Sequence, residues 1–424
     1  MLARRTSRFV FLGVFAVALA GAAPANADPV YADTSVTIPV HKASNGQFTG
    51  SPQIDVAFVN NGTVGASSLY TVDTGSTGVI VDQQDWNPVA AGATKLGPGS
   101  TYYSSSHLEF TGTWYAATLQ IGDAQQNVTA KVPVLSVTTQ LKCDPAPPNC
   151  TVESTNPTIS YFGVGFAREA SSQAVGPNGQ VAMTPADNPL LNVVAVNGAP
   201  VTASTPLQPG SSMVTGNYTT GYILSPQGLT LGLTQANTAG LALGPQLTWN
   251  DETQNSSFNG GYADWGPVPA TLTVNGKAGV GTVLTDTGIG YMFVSPQPGA
   301  SVKTDNNCPG TDCLAPGTTV SVQIGSAASY SFTIGNNDGA PAPGSPPAAP
   351  AWAQLTDDHS VFVNTGYHFF NQYEYMYDYA NGDVGYLSLN PSSPEPSTWA
   401  MMLLGFAGLG FAGYRARKAP SISA

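Results

Sequence analysis

Short runs of β-branched, aromatic and other apolar residues, broken by glycine, proline and asparagine, recur along most of this chain. Residues 114–121 alternate between apolar and polar and stop at Gly122-Asp123, the pattern of a strand entering a hairpin turn. Residues 35–40, 54–59, 69–72 and 128–137 read as further strands, the second closed by Asn60-Asn61-Gly62. Residues 221–224 and 228–232 predict a hairpin, and residues 271–274 before Asn275-Gly276 predict another. Residues 319–324, 330–334 and 361–363 continue the pattern, and Asn381-Gly382 turns the aromatic run 369–378 into residues 384–389. One stretch departs from it. Leu190, Leu191, Val194 and Ala195 share a helical face, so residues 188–196 predict a helix. Residues 340–350, rich in Pro and Ala, predict an exposed extended loop. The expectation is an all-β fold with a few short helices.

Two of the apolar stretches carry an acid in the same setting. Val72-Asp73-Thr74-Gly75-Ser76-Thr77 returns as Thr285-Asp286-Thr287-Gly288-Ile289-Gly290, 286 − 73 = 213 positions on. Asp-Thr-Gly by itself is an ordinary turn signal. Two copies inside apolar strands predict a duplicated lobe with one carboxylate each. Two carboxylates side by side cannot both ionise easily, so they share a proton. One can then draw a proton from water while the other protonates a carbonyl oxygen. That chemistry cleaves a peptide bond with no metal, no cofactor and no covalent intermediate. Gly75 and Gly288 permit the tight turns. Thr74 and Thr287 supply hydroxyls that tie the turns together, and Ser76 is placed to donate to Asp73.

The ends change the picture of where this happens. Residues 1–27 form a secretory signal: Arg4, Arg5 and Arg8, an apolar run, then Ala25-Asn26-Ala27 for signal peptidase. Residues 393–424 contain Pro394-Glu395-Pro396, an uncharged apolar run over residues 398–414, and Arg415, Arg417 and Lys418. Such a run spans a bilayer minimally as a helix, which implies transient membrane insertion with the basic end in the cytoplasm. The tail resembles the PEP-CTERM sorting signal. That likeness implies processing by an exosortase and release to the cell surface or extracellular matrix of a Gram-negative bacterium.

Between the ends, residues 28–394 hold 24 acidic and 7 basic side chains, an excess of 24 − 7 = 17 negative charges. This surface repels nucleic acid. Cys143 with Cys150 and Cys308 with Cys313 are close pairs enclosing turn residues, which in an oxidising compartment predicts two local disulfides and no metal centre.

The residues around the two acids resemble the pepsin-like aspartic peptidases. Tyr161-Phe162-Gly163-Val164-Gly165-Phe166 looks like that family's strand crossing beneath the first catalytic loop. Residues 364–373 and 377–386 are similar to its C-terminal region, with Tyr367 at a position where the family carries an acid. The resemblance implies a pepsin-like bilobal fold: an N-terminal β lobe over residues 28–240, a C-terminal β lobe over residues 241–392, and a cleft between them. It further implies a monomer that hydrolyses a polypeptide substrate with Asp73 and Asp286 as the catalytic pair. Three departures accompany it. Ile289 cannot donate to Asp286 as the family's hydroxyl does, which predicts a weakly supported second acid and a less acidic optimum. The family's flap tyrosine has Tyr102, Tyr103 and Tyr115 as candidates, with Phe110-Thr111-Gly112-Thr113 in the flap region. The basic propeptide is missing. A silent member of the fold, binding a partner in its cleft without cutting it, is the alternative function.

Overall fold

The computed structural model describes residues 31–389, apart from residues 145, 169–174, 177–182, 205–215, 253–261, 307, 309–311, 337–339 and 357–359. The signal sequence and the sorting tail lie outside the described residues. Among the described residues the fold is all-β, and no helix is long and apolar enough to cross a membrane.

Three large sheets carry the architecture. An eleven-stranded sheet takes its strands from residues 41–200, and a nine-stranded sheet takes its strands from residues 268–364. The third, with six strands, draws on the beginning, middle and end of the chain. Its order is Val36–Ile38, Gly228–Leu233, Thr219–Ser225, Tyr373–Asp378, Asp383–Ser388 and Ala242–Leu243. The hydrophobic pattern decides which strands face water. Ala328–Thr333 alternates strictly between buried and exposed positions, so one face is wet. Thr77–Asp82 and Thr219–Ser225 are buried at every position and are therefore covered on both faces. Tyr222, Tyr375, Tyr377 and Tyr386 fill the six-stranded sheet's interior, so the C-terminal tyrosine cluster is packing. Tyr222 donates to Val164 O at 3.0 Å, and Asn371 Oδ1 accepts from Phe48 N at 2.6 Å, which ties this sheet and its flanking turn to the first half of the chain.

The two large sheets contain the same local arrangement. Thr63–Asp73 leads into the first acid turn and Thr77–Asp82 leaves it, while Ser160–Val164 lies between them, parallel to the one and antiparallel to the other. Lys277–Leu284 and Met292–Ser295 flank the second turn, with Phe362–Asn364 between them in the same two senses. Tyr161 sits opposite Thr71 and Ile80, and Asn364 sits opposite Leu284 and Phe293. Since 284 − 71 and 293 − 80 both equal the 213 that separates the acids, Asn364 occupies the position of Tyr161 in the second copy.

The helix expected over residues 188–196 does not form. Pro185–Asp187 make a single 3-10 turn, and Val193–Val196 is a strand paired with Asn127–Cys143. Two effects override the helical spacing. The Asn188 and Asn192 side chains bond to nearby backbone groups, which holds a non-helical turn. The β-branched Val193, Val194 and Val196 then meet an open strand, and Asn197-Gly198, both at positive φ, turn the chain back. Both expected disulfides are formed, Cys143–Cys150 and Cys308–Cys313.

Candidate active site

The burial pattern of Thr63–Asp73 runs from exposed at its start to buried at its end, so the strand carries Asp73 from the surface into the interior. The turn then folds back on its own carboxylate. Gly75 N donates to Asp73 Oδ1 at 2.7 Å and Ser76 Oγ donates to Oδ2 at 2.6 Å. In the second turn Gly288 N donates to Asp286 Oδ1 at 2.7 Å, the same bond in the same place. The second oxygen is met differently. Asn364 Nδ2, from the strand between the two turn-flanking strands, donates to Asp286 Oδ2 at 2.5 Å. The weak support expected from Ile289 is therefore made good through space.

The turns face each other and are fastened by their threonines. Thr74 N donates to Thr287 Oγ1 and Thr287 N donates to Thr74 Oγ1, each at 3.0 Å. Thr74 Oγ1 donates onward to Thr285 O, and Thr287 Oγ1 to Val72 O, each at 2.6 Å. All of these groups are buried, so each bond replaces an otherwise costly unpaired polar atom. The glycines set how closely the carboxylates approach. A Cβ on Gly75 would lie 2.5 Å from Asp286 Oδ1, and one on Gly288 would lie 2.5 Å from Asp73 Oδ1. Each carboxylate thus packs on the other turn's glycine, and any larger residue would drive them apart.

Asp73 and Asp286, each 5% exposed, lie on the floor of a cleft of about 950 Å³. Burial first, and then the neighbouring Asp286 charge, push Asp73 up to about 7, against the Ser76 and Gly75 donors. Three tyrosines surround the two acids. Burial, and after it the Asp73 charge, hold the Tyr103 hydroxyl well above its ordinary range, while its bond with Ser76 works the other way. Burial and then the two acids raise Tyr161, and burial and then Asp286 raise Tyr291.

Of the three flap candidates, Tyr103 lines the cleft and is the one on which the Asp73 charge acts. Tyr102 pairs its hydroxyl with His107 Nδ1 at 3.3 Å, and Tyr115 packs edge-on against Trp86. The turn between Thr94–Tyr103 and Leu108–Gly122 falls at residues 104–107 and lines the cleft, so Phe110-Thr111-Gly112-Thr113 lies within a strand. Tyr291, stacked on Trp352, donates its hydroxyl to Ser105 O at 3.3 Å. A residue of the second acid turn therefore touches the hairpin that overhangs the first. Tyr291 stands at the position of Gly78 in the first copy, since 291 − 78 = 213.

Among the described residues one cluster has the donors of a metal site, Glu109 with Cys143 and Cys150. Its sulfurs are joined in a disulfide and offer no thiolate. His41 pairs with Asp55 at 2.8 Å away from the cleft, and His368 Nε2 lies 3.2 Å from Gly290 O.

The residue that sequence reasoning missed is Asn364. Its signal was available: Tyr161-Phe162-Gly163 and Asn364-Thr365-Gly366 follow the two acid turns at separations of 163 − 73 = 90 and 366 − 286 = 80. Aligning the glycines puts Asn364 against the acid.

No curated protein matches the chain. Residues 394–418 match the family model described as the PEP-CTERM protein-sorting motif. That motif marks the chain as an exported protein sorted to the cell envelope through exosortase processing.

Proposed function

We propose that the protein is an exported aspartic endopeptidase with a pepsin-like, two-lobed architecture. The observation that carries this reading is the pair of buried carboxylates, each packed on the other's turn, on threonine-linked turns at the floor of one cleft. In this reading the six-stranded sheet joins two lobes, and an extended polypeptide lies between the acids and the residue 104–107 hairpin. Water held by the pair loses a proton to one carboxylate as its oxygen attacks the scissile carbonyl carbon, and the other acid gives its proton to the carbonyl oxygen. The resulting diol collapses. The first acid returns its proton to the departing nitrogen as the C–N bond breaks, and a diol hydroxyl restores the proton of the second. The pair ends as it began, and no other group is consumed.

The test is hydrolysis of an unfolded protein from about pH 3 to about pH 7, with and without a pepstatin-type inhibitor. Inhibitor-sensitive cleavage that disappears in both Asp73→Ala and Asp286→Ala is the expected result. Cleavage by either variant at the wild-type rate sinks the assignment. A folded wild-type protein that cuts nothing across this range leaves the cleft as a binding site.

A further inference from the structure

Asn364 differs from the other groups around the pair in what it can do with a proton. We propose that Asn364 is the positioning residue of the second acid, holding Asp286 as the anion of the pair and leaving the shared proton on Asp73. This rests on the reading of Asp73 and Asp286 as a working dyad.

The argument begins with the orientation of the amide. Asn364 Oδ1 accepts from Gly366 N at 3.1 Å, which forces the NH2 end toward Asp286 Oδ2. An amide nitrogen is a donor only. A proton placed on Asp286 Oδ2 would weaken the bond that this oxygen accepts from the amide. A proton on Oδ1 would likewise weaken the bond accepted from Gly288 N–H. Both oxygens of Asp286 are therefore committed to accepting, which favours its ionised form. The Asp73 side is permissive. Ser76 Oγ is a hydroxyl, which can either donate to Asp73 or accept from it. The proton then sits on Asp73, the acid flanked by Ser76 and Tyr103 and raised by burial and the Asp286 charge. In the proposed reaction Asp286 is the base toward water, and Asp73 protonates the carbonyl oxygen. Asn364 is the buried last residue of a three-residue strand hydrogen-bonded on both sides, so its donor is fixed before substrate arrives.

The measurement reads the pair directly and needs no substrate. The exported protein is labelled with 13C at its aspartate carboxyls and titrated by NMR, with the pair's signals identified by their loss in Asp73→Asn and Asp286→Asn. Removing the donor in Asn364→Ala should move the pair's first deprotonation up by about one pH unit, because a hydrogen bond to the charged form is lost. Adding Ile289→Ser to that variant restores a hydroxyl three residues after the acid, as Ser76 is to Asp73, and should bring the titration at least halfway back. The near-isosteric Asn364→Asp keeps the acceptor for Gly366 N and replaces the donor with a third acid. It reads the same effect if the alanine variant does not fold, with an upward shift at least as large. An unmoved titration in a folded Asn364→Ala or Asn364→Asp variant overturns the proposal, as does a shift that Ile289→Ser leaves unchanged. Because the titration is independent of cleavage, a wild-type protein that cuts nothing but shows these shifts retains the positioning role and loses the peptidase reading. A wild type that cuts, with an Asn364→Ala variant of unchanged pH–rate profile, does the reverse.

Discussion

The two acid turns share a backbone and differ in where their support comes from. In the first, both donors to Asp73 lie within three residues of it, at Gly75 and Ser76. In the second, Gly288 is local, but the other donor arrives from Asn364, 78 residues on. The first copy has Gly78 where the second has Tyr291, which reaches across to Ser105. The lesson is that a duplicated arrangement conserves geometry at the carboxylates without conserving the residues that produce it. A missing hydroxyl at position 289 is evidence about one residue and says nothing of the carboxylate's surroundings.

The strongest way to break the comparison is to remove one acid at a time. If the two act as a pair, Asp73→Asn and Asp286→Asn each lower kcat on an unfolded protein by about 10²–10⁴-fold, the usual worth of acid–base catalysis, and to a similar extent. A variant retaining most of its rate would show that its turn is scaffold only.

The threonine fastening should be symmetric in stability. Thr74→Val and Thr287→Val each delete two hydroxyl hydrogen bonds and leave buried partners unpaired, at a cost of about 1–3 kcal/mol per orphaned group. Chemical denaturation of both variants should give losses equal within about 1 kcal/mol. A much larger loss for one of them would mean that the two halves depend unequally on the joint.

Stability should also carry the mark of the buried acids. Asp73 and Asp378 are pushed up to about 7 and Asp383 to about 6, in each case chiefly by burial. An acid whose folded value lies above its unfolded one binds more protons in the native state between the two. Its stabilising contribution is then full below about pH 4, the ordinary carboxylate range, and is lost as pH rises toward about 7. The melting temperature is expected to fall over that interval. Asp73→Asn should flatten the fall, because the shared proton sits on that acid. Asp378→Asn should flatten it independently, since that acid sits in the Tyr373–Asp378 hairpin and not in the cleft. A melting temperature that rises from pH 4 to pH 7 would contradict the burial argument.

The legibility of the site in the sequence follows the same division. Asp73, Asp286, their glycines, the two threonines and Ser76 could be read because each acts within a few residues of its acid, where turn chemistry is local. The hairpins at Asn275-Gly276 and Asn381-Gly382 were legible for the same reason. Asn364 was legible only by aligning the two copies on Gly163 and Gly366, because a side chain that acts across a parallel strand pair has no fixed distance along the chain from the acid it serves. Residues 188–196 were misread because helical periodicity competes with an unpaired strand edge that only the fold reveals. The residue 104–107 turn was hidden by polar residues that fit a strand as well as a hairpin tip.

The finest discrimination comes from the third residue after each acid. Ser76→Ala removes the one side-chain donor to Asp73 Oδ2 among the described residues and leaves the Gly75 bond intact. The basic limb of the pH–rate profile, where Asp73 gives up the shared proton, should then move up by about one unit, because a hydrogen bond to its charged form is lost. Ile289→Ser makes the opposite change in the second turn, and sequence reasoning alone expects it to shift the profile down by a similar amount. The geometry argues otherwise. Asp286 Oδ2 already accepts from Asn364 and Oδ1 from Gly288, so a new hydroxyl meets oxygens whose charge is already compensated. Its effect is expected to stay within about 0.3 units, far below that of a first donor. Equal and opposite shifts from the two substitutions would show that Ile289 is a real deficit and that the Asn364 contact contributes little to the pair.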